Sequence, residues 1–386
     1  MPLPMKSVRP SGLLRALTRA MGIDMATRRR FLAGLTAATL IPRVTWADAG
    51  SPAFLGAAKD SQGAYGLYGL DENARIIFRV PLPARGHAAA AHPTAPEAVG
   101  FARRPGTFAV VINCVDGTVL HRLEAPQGRH FMGHGVFVNG GDMLLTPENN
   151  YAGRKGVLGL WDRGRGYARV GEVETGGIGP HDIKRLADGS LVVANGGIFT
   201  HPDHGEGRDK LNLDTMQPSL AYLSRDFEIT EQVTLDADLH HNSIRHLSVG
   251  PDGQVAFAMQ WEGEADAVVP LLGLHRRGEA PVLAMAAGAD QSRMKNYAGS
   301  VAFSGDGGAV AITSPRGGLM QRYATDGAYL GAVARTDICG LAPRGSGWIG
   351  SDGLGGLMAI DTGVRPLLVA DGLMWDNHLV SLAAMV

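Results

Sequence analysis

From about residue 54 onward, apolar positions come in short runs of four to eight residues. Turn signals punctuate them, among them Asp188-Gly189, Asp252-Gly253, Asp306-Gly307 and Asp352-Gly353. Short runs closed by Asp-Gly pairs predict many short strands joined by tight turns. Helical periodicity is scarce.

The runs also repeat. HGVFVNGGDMLLTPEN from His134 and HDIKRLADGSLVVANG from His181 share an opening His-x-Val/Ile and lead into a second apolar run, 47 residues apart; a further 47 residues back, His87 opens HAAAAHP. Related segments begin at Asn242, Gly299 and Thr336, and HLVSLAAM from His378 supplies one strand before the chain ends. The runs Phe54–Ala58, Tyr65–Leu70 and Ile76–Val80 lack an opening strand of their own. The terminal strand supplies it and removes an exposed sheet edge. A period of about 40–50 residues with four strands per unit describes a β-propeller. The chain is therefore predicted to be an all-β, seven-bladed propeller closed by strands from both termini; a β-sandwich is the alternative. The repeat is interrupted most strongly after Asn195, where an insertion spans about residues 198–218.

The first 48 residues do not share the pattern. Thr27-Arg28-Arg29-Arg30-Phe31-Leu32 has the form of a twin-arginine export signal, followed by an uncharged, mostly apolar stretch to Pro42 and candidate cleavage positions at Ala47 and Ala49. The stretch is shorter than the ~20 residues of a membrane span, and its order of parts is that of a removable signal. Met25 is a candidate start. The expectation is a signal region over 1–48, a propeller over 49–386, periplasmic location and no transmembrane anchor after cleavage.

Charge narrows the partners. With 36 Lys+Arg against 37 Asp+Glu, nothing points to a nucleic-acid or anionic-membrane partner. Only Cys114 and Cys339 are present, with no CxxC pair, so thiolate zinc and c-type haem sites are unsupported. Cys114 in FAVVINCVDG reads as a buried thiol. There is no GxSxG elbow, Walker A loop or HExxH, and the Gly-rich stretches lack the strand–turn–helix setting of a dinucleotide fold.

Repeat phase turns sequence positions into places. His87, His134, His181 and His378 each open an innermost strand, so ring closure gathers them at one channel mouth, with Asn242 next. Imidazole is the commonest biological ligand for iron, copper and zinc; protonated imidazoles would instead hold a carboxylate or phosphate. Asp182 is a candidate to orient an imidazole, and Trp375, Asp376 and Asn377 precede His378 at the mouth. The insertion carries a second, denser set: His201, Asp203, His204, Glu206 and Asp209. His240, His241 and His246 fall at a blade junction and read as ambiguous. Glu148, Asn149, Asn150 and Asn195 end strands in matched repeats, in supporting or turn-forming roles.

At GRHFMGHGVF, GPHDIKRLADGSLVVANGG, HPDHGEGRDKLNLDTMQPSLAYL and SIRHLSVGPDG the chain resembles an uncharacterised family of twin-arginine-exported bacterial seven-bladed propellers. Members of that family often lie beside genes for imelysin-like periplasmic iron-uptake proteins. The resemblance implies iron biology by association and imelysin-like proteins as partners. Three functions are open: a non-catalytic propeller binding a metal or small ligand in iron uptake, an interaction scaffold with structural histidines, and a metal-dependent enzyme on the channel.

Overall fold

The computed structural model describes residues 44–382. The signal reading, including Met25, Arg28 and Arg29, lies outside the described residues. From Thr45 the chain forms one compact unit, and its described sheets are seven antiparallel blades.

Blade 1 consists of Phe54–Lys59, Tyr65–Leu70 and Ile76–Leu82. Its innermost strand is the final one, Met374–Ser381, paired through Phe54 with Ser381 and Gly56 with Leu379. Both termini thus close the ring, as the unpartnered N-terminal runs predict. Innermost strands of the next four blades are Gly86–Ala91, the broken pair Arg129–Phe131 and Val136–Val138, Pro180–Arg185 and Asn242–Val249. Ser300–Phe303 and Ile338–Arg344 line the channel from blades 6 and 7.

Burial follows position in the blade. The inner strand Gly86–Ala91 is buried throughout, whereas the outer strand Val119–Glu124 buries only Leu123. An inner strand has neighbours on both faces, so small residues such as Ala88–Ala91 suit it; an outer strand meets solvent and alternates. Among the described residues the buried apolar side chains fall into seven clusters, one between each pair of adjacent blades. Trp348, Met358 and Ile360 of blade 7, for example, meet Ala302, Ala311 and Met320 of blade 6. The Asp-Gly turns work as their composition demands: Gly189 has φ +83°, and Asp188 Oδ1 accepts from Ser190 N at 2.9 Å.

One irregularity recurs and matters for the channel. The pairing of the inner strand with its neighbour slips in blade 1 between Gly56 and Ala58, in blade 2 between Gly86 and Ala89, in blade 4 between Pro180 and Asp182, in blade 5 between Ile244 and His246, and in blade 7 between Ile338 and Leu341. Blade 3 replaces the slip by a break from Met132 to Gly135. A bulge re-aims the side chains at the unpaired residue. In blades 1, 2 and 4 the slip falls at a channel histidine, in blade 5 at Arg245 beside His246, and in blade 7 at Cys339-Gly340.

The insertion links Leu191–Asn195 to Ser219–Leu223. It is tied down by Asn212, whose Nδ2 donates to Gly197 O at 2.8 Å and whose Oδ1 accepts from Phe199 N at 2.6 Å. Before the first blade, Trp46 Nε1 donates to His92 O at 2.9 Å and Ala49 is buried against blades 1 and 2. Both cysteines are buried and unpaired, and burial pushes each thiol up to about 12.

Candidate metal centre in the channel

The bulges and the break deliver five imidazoles to one place. In order round the ring they are His378, His87, His134, His181 and His246, from blades 1 to 5. Successive ring centroids lie 4.6, 5.1, 5.2 and 4.8 Å apart, and His246 returns to His378 across the channel at 4.6 Å. His134 is also 4.8 Å from His378. All five are buried, none more than 9% exposed.

His87, His134, His181 and His378 lie together, as their repeat phase predicts. Asn242 lies outside the cluster: its Nδ2 donates to Pro270 O at 2.7 Å, and blade 5 contributes His246 instead. The signal for His246 is present in the sequence. Matching Asp252-Gly253 to Asp188-Gly189 gives an offset of 64 residues, which sets Arg245 opposite His181 and His246 opposite Asp182. The insertion lengthens blade 4, so a search at the shorter spacing of 47 misses it.

Each imidazole has one buried nitrogen without a hydrogen-bond partner: Nδ1 of His87, His181 and His246, and Nε2 of His134 and His378. Buried polar atoms are nearly always paired. His87 Nδ1 has the Asp376 carboxylate 3.7 Å away, and the other four orphans in one cluster ask for a shared ligand. One nitrogen from each of His87, His134 and His181 can be chosen so that all lie within 4.8 Å of one another, and the same holds for His134, His246 and His378. Three nitrogens held on one ion by bonds of about 2.0–2.1 Å lie about 3.3–3.6 Å from one another. Either triad would therefore have to draw in by up to about an ångström, through rotation of its side chains.

Carboxylates back two of the rings. Asp182 Oδ1 lies 3.2 Å from His134 Nδ1, which leaves the orphan Nε2 of His134 facing its neighbours. Asp182 therefore orients His134 of the adjacent blade, not the His181 beside it in sequence. It is held in turn by Ile183 N at 2.8 Å, Lys184 Nζ at 3.0 Å and Leu247 N at 2.9 Å. Burial opposes its charge, but Lys184 and the imidazoles of His134 and His246 outweigh that and hold the carboxyl far below the usual range. Asp376 Oδ1 stands 3.7 Å from His87 Nδ1 while Oδ2 accepts from Arg85 Nε at 2.6 Å.

Burial keeps His87, His181, His246 and His378 neutral. It lowers His87 to about 4, against the opposing pull of Asp376. His181, His246 and His378 are held well below the ordinary imidazole value, first by burial and then by positive neighbours. Neutral imidazole is the metal-binding form, so anion capture by protonated rings is disfavoured here.

On one side of the imidazole layer the channel opens into a cavity of about 190 Å³, reached by His134, His246 and His378 and lined beyond them by Lys184, Ser248 and Ser300. The insertion does not join this site. His201 and His204 are 5.9 Å apart and His201 Nδ1 is 3.5 Å from Asp203 Oδ2, with Asp203, His204, Glu206 and Asp209 exposed. Among the described residues, that set forms no group with metal-ligand spacing. Glu148 meets Thr146 and Arg169, Asn149 Nδ2 reaches Thr200 O, and Asn195 Nδ2 reaches Thr175 O, all in structural roles away from the imidazoles. Asn150 accepts from Arg129 and from Gly153 N at a turn. His240 and His241 stack on each other at 3.9 Å outside the cluster.

A ring of blades carrying five inward imidazoles defines the class: a seven-bladed β-propeller with a buried polyhistidine centre. The chain belongs to a family described as proteins of unknown function (DUF1513), whose pattern matches residues 80–382. In fold it is similar to a protein of unknown function from Bacteroides caccae, at 12% identity and a TM-score of 0.44 over 74% of this chain and 94% of that one. It is also similar to a chain in the crystal structure of a mitotic checkpoint complex, at 10% identity and a TM-score of 0.51 over 72% of this chain and 75% of that one. At that identity the likeness concerns the fold alone. No curated protein sequence matches the chain.

Proposed function

We propose that this propeller binds one divalent transition metal, iron, copper or zinc, through the channel histidines, and serves metal handling without catalysis. The observation that carries the reading is the set of five buried imidazoles that converge from five blades, each with a buried nitrogen that no hydrogen bond fills. Imidazole donors with a carboxylate behind His134 suit a borderline metal. His134, common to both triads, would hold the ion together with His87 and His181 or with His246 and His378. Iron is the first metal to try and the periplasm the proposed location. Both rest on the sequence resemblance, as does an imelysin-like partner.

The test is metal analysis of exported, purified protein, followed by titration of the chelator-stripped protein with Fe(II), Cu(II) and Zn(II). One equivalent bound, and lost in a His134→Ala/His246→Ala variant that still melts cooperatively, is the expected result. Absence of binding, or binding unchanged in that variant, returns the histidines to structure and favours the scaffold reading.

A further inference from the structure

The mouth on the other side of the imidazole layer has a different chemistry. Arg245 occupies the bulge of blade 5 beside His246, matching His181 in blade 4. It is only 2% exposed, yet its Nε and Nη2 make no hydrogen bond. Its nearest carboxylate is Glu262, with Oε1 3.6 Å from Nη2, and the other oxygen of Glu262 is taken by Lys210. A buried guanidinium with two idle donors is costly unless something fills its fork.

Two more guanidiniums approach from the loop between Glu97–Ala102 and Phe108–Asn113 of blade 2. Arg103 and Arg104 are partly buried, and among the described residues no hydrogen bond or ion pair holds the side chain of either. Arg104 faces Arg245, and that repulsion together with burial pushes it down to about 9. Arg103 faces Arg85 and Asp376, but Asp376 is already engaged by Arg85. Arg208 of the insertion adds a further cation near Arg103. Arg104 and Arg245 thus share one incompletely available carboxylate, Glu262.

We infer that Arg245, with Arg104 and Arg103, forms a binding site for a small oxyanion at the channel mouth, directly against the imidazole layer. Planar guanidiniums match the two oxygens of a carboxylate or phosphate. An anion here would fill the idle donors of Arg245 and relieve its repulsion with Arg104. If the histidines hold a divalent metal, as proposed above, the same anion would also balance the ion's charge.

The experiment uses the full exported chain, stripped of metal, titrated calorimetrically with inorganic phosphate and separately with malonate. The expected result is one equivalent of at least one probe, the tighter naming the class. In an Arg104→Gln/Arg245→Gln variant affinity should fall at least tenfold, while metal uptake persists. The His134→Ala/His246→Ala variant should do the reverse, keeping the anion and losing the metal, so failure of one site is distinguishable from failure of the other. Melting gives a second reading: Arg245→Gln alone should leave the melting temperature of the anion-free protein unchanged or raise it, because an unsatisfied buried charge is removed. No binding of either probe, anion affinity unchanged in the arginine variant, or a lowered melting temperature for Arg245→Gln would overturn the site and make Arg245 structural.

Discussion

At the scale of single residues, the centre depends on groups that touch no ligand. Asp182 gathers two backbone amides, Lys184 and His134 at once. It fixes which nitrogen of His134 faces the cluster. Asp182→Asn keeps the shape but removes the charge and half of the acceptor capacity. Metal affinity is expected to weaken by about 10–100-fold, the usual effect of losing a carboxylate behind a histidine ligand, and chelator competition would measure it. An affinity equal to the parent would mean that His134 is oriented by packing alone.

The same rings set a pH dependence for the metal-free protein. His87, His181, His246 and His378 have folded values below that of the unfolded chain, about 6.5, with His87 near 4. Below pH ~6.5 the unfolded chain therefore binds more protons than the folded one, and stability falls as pH drops. It is fully present above that value and declines through the window down to about 4. Asp376 is lowered to about 2, so its contribution stays intact across that window and is lost only below it. The melting temperature of stripped protein should fall steadily from pH 7 to pH 4.5, and more gently in a His246→Asn variant. A flat profile would show that these imidazoles already accept protons in the folded state. Metal binding should accordingly persist to lower pH than free imidazole allows.

At the scale of elements, a break does the work that a bulge does elsewhere. Blade 3 interrupts its inner strand at Met132–Gly135, and Gly133 makes the turn with φ +95°. A β-carbon there would lie 2.5 Å from His87 Cδ2. Gly133→Ala is thus predicted to strain the backbone by about 1–3 kcal/mol and to displace His87. The expected outcome is a lower melting temperature together with metal affinity reduced at least tenfold. Lost stability with unchanged affinity would show that His87 is dispensable.

The final strand is the other decisive element. Trp375 and Leu379 are buried between blades 7 and 1, and the strand pairs with Phe54–Lys59. Deleting from Trp375 onward removes His378, two large apolar side chains and the ring closure together. The truncated chain should show no cooperative melting transition, because the edge of blade 1 is left open. Melting near the parent temperature would mean that three-stranded blade 1 suffices.

At the scale of the whole molecule, the repeat was readable because it is local. Apolar runs, Asp-Gly turns and the matching segments at His134 and His181 follow from the chain's own covalent order. Four of the five channel histidines open repeats, so their phase alone gathered them. His246 escaped because blade 4 is lengthened by the insertion, and a one-bulge difference puts Arg245 where the other blades lead one to look for histidine.

What the sequence by itself determined, then, is the fold, its closure by both termini and the histidine phase, since each is a periodic property of neighbouring residues. Tertiary structure alone decided the rest. Arg104 comes near Arg245 only because blades 2 and 5 face one channel, and Asp182 serves His134 rather than His181 because adjacent blades meet there. Neither pairing has a spacing or motif to announce it. The neutral state of His87, His181, His246 and His378 is likewise a property of burial, and burial exists only once seven blades have closed around the channel.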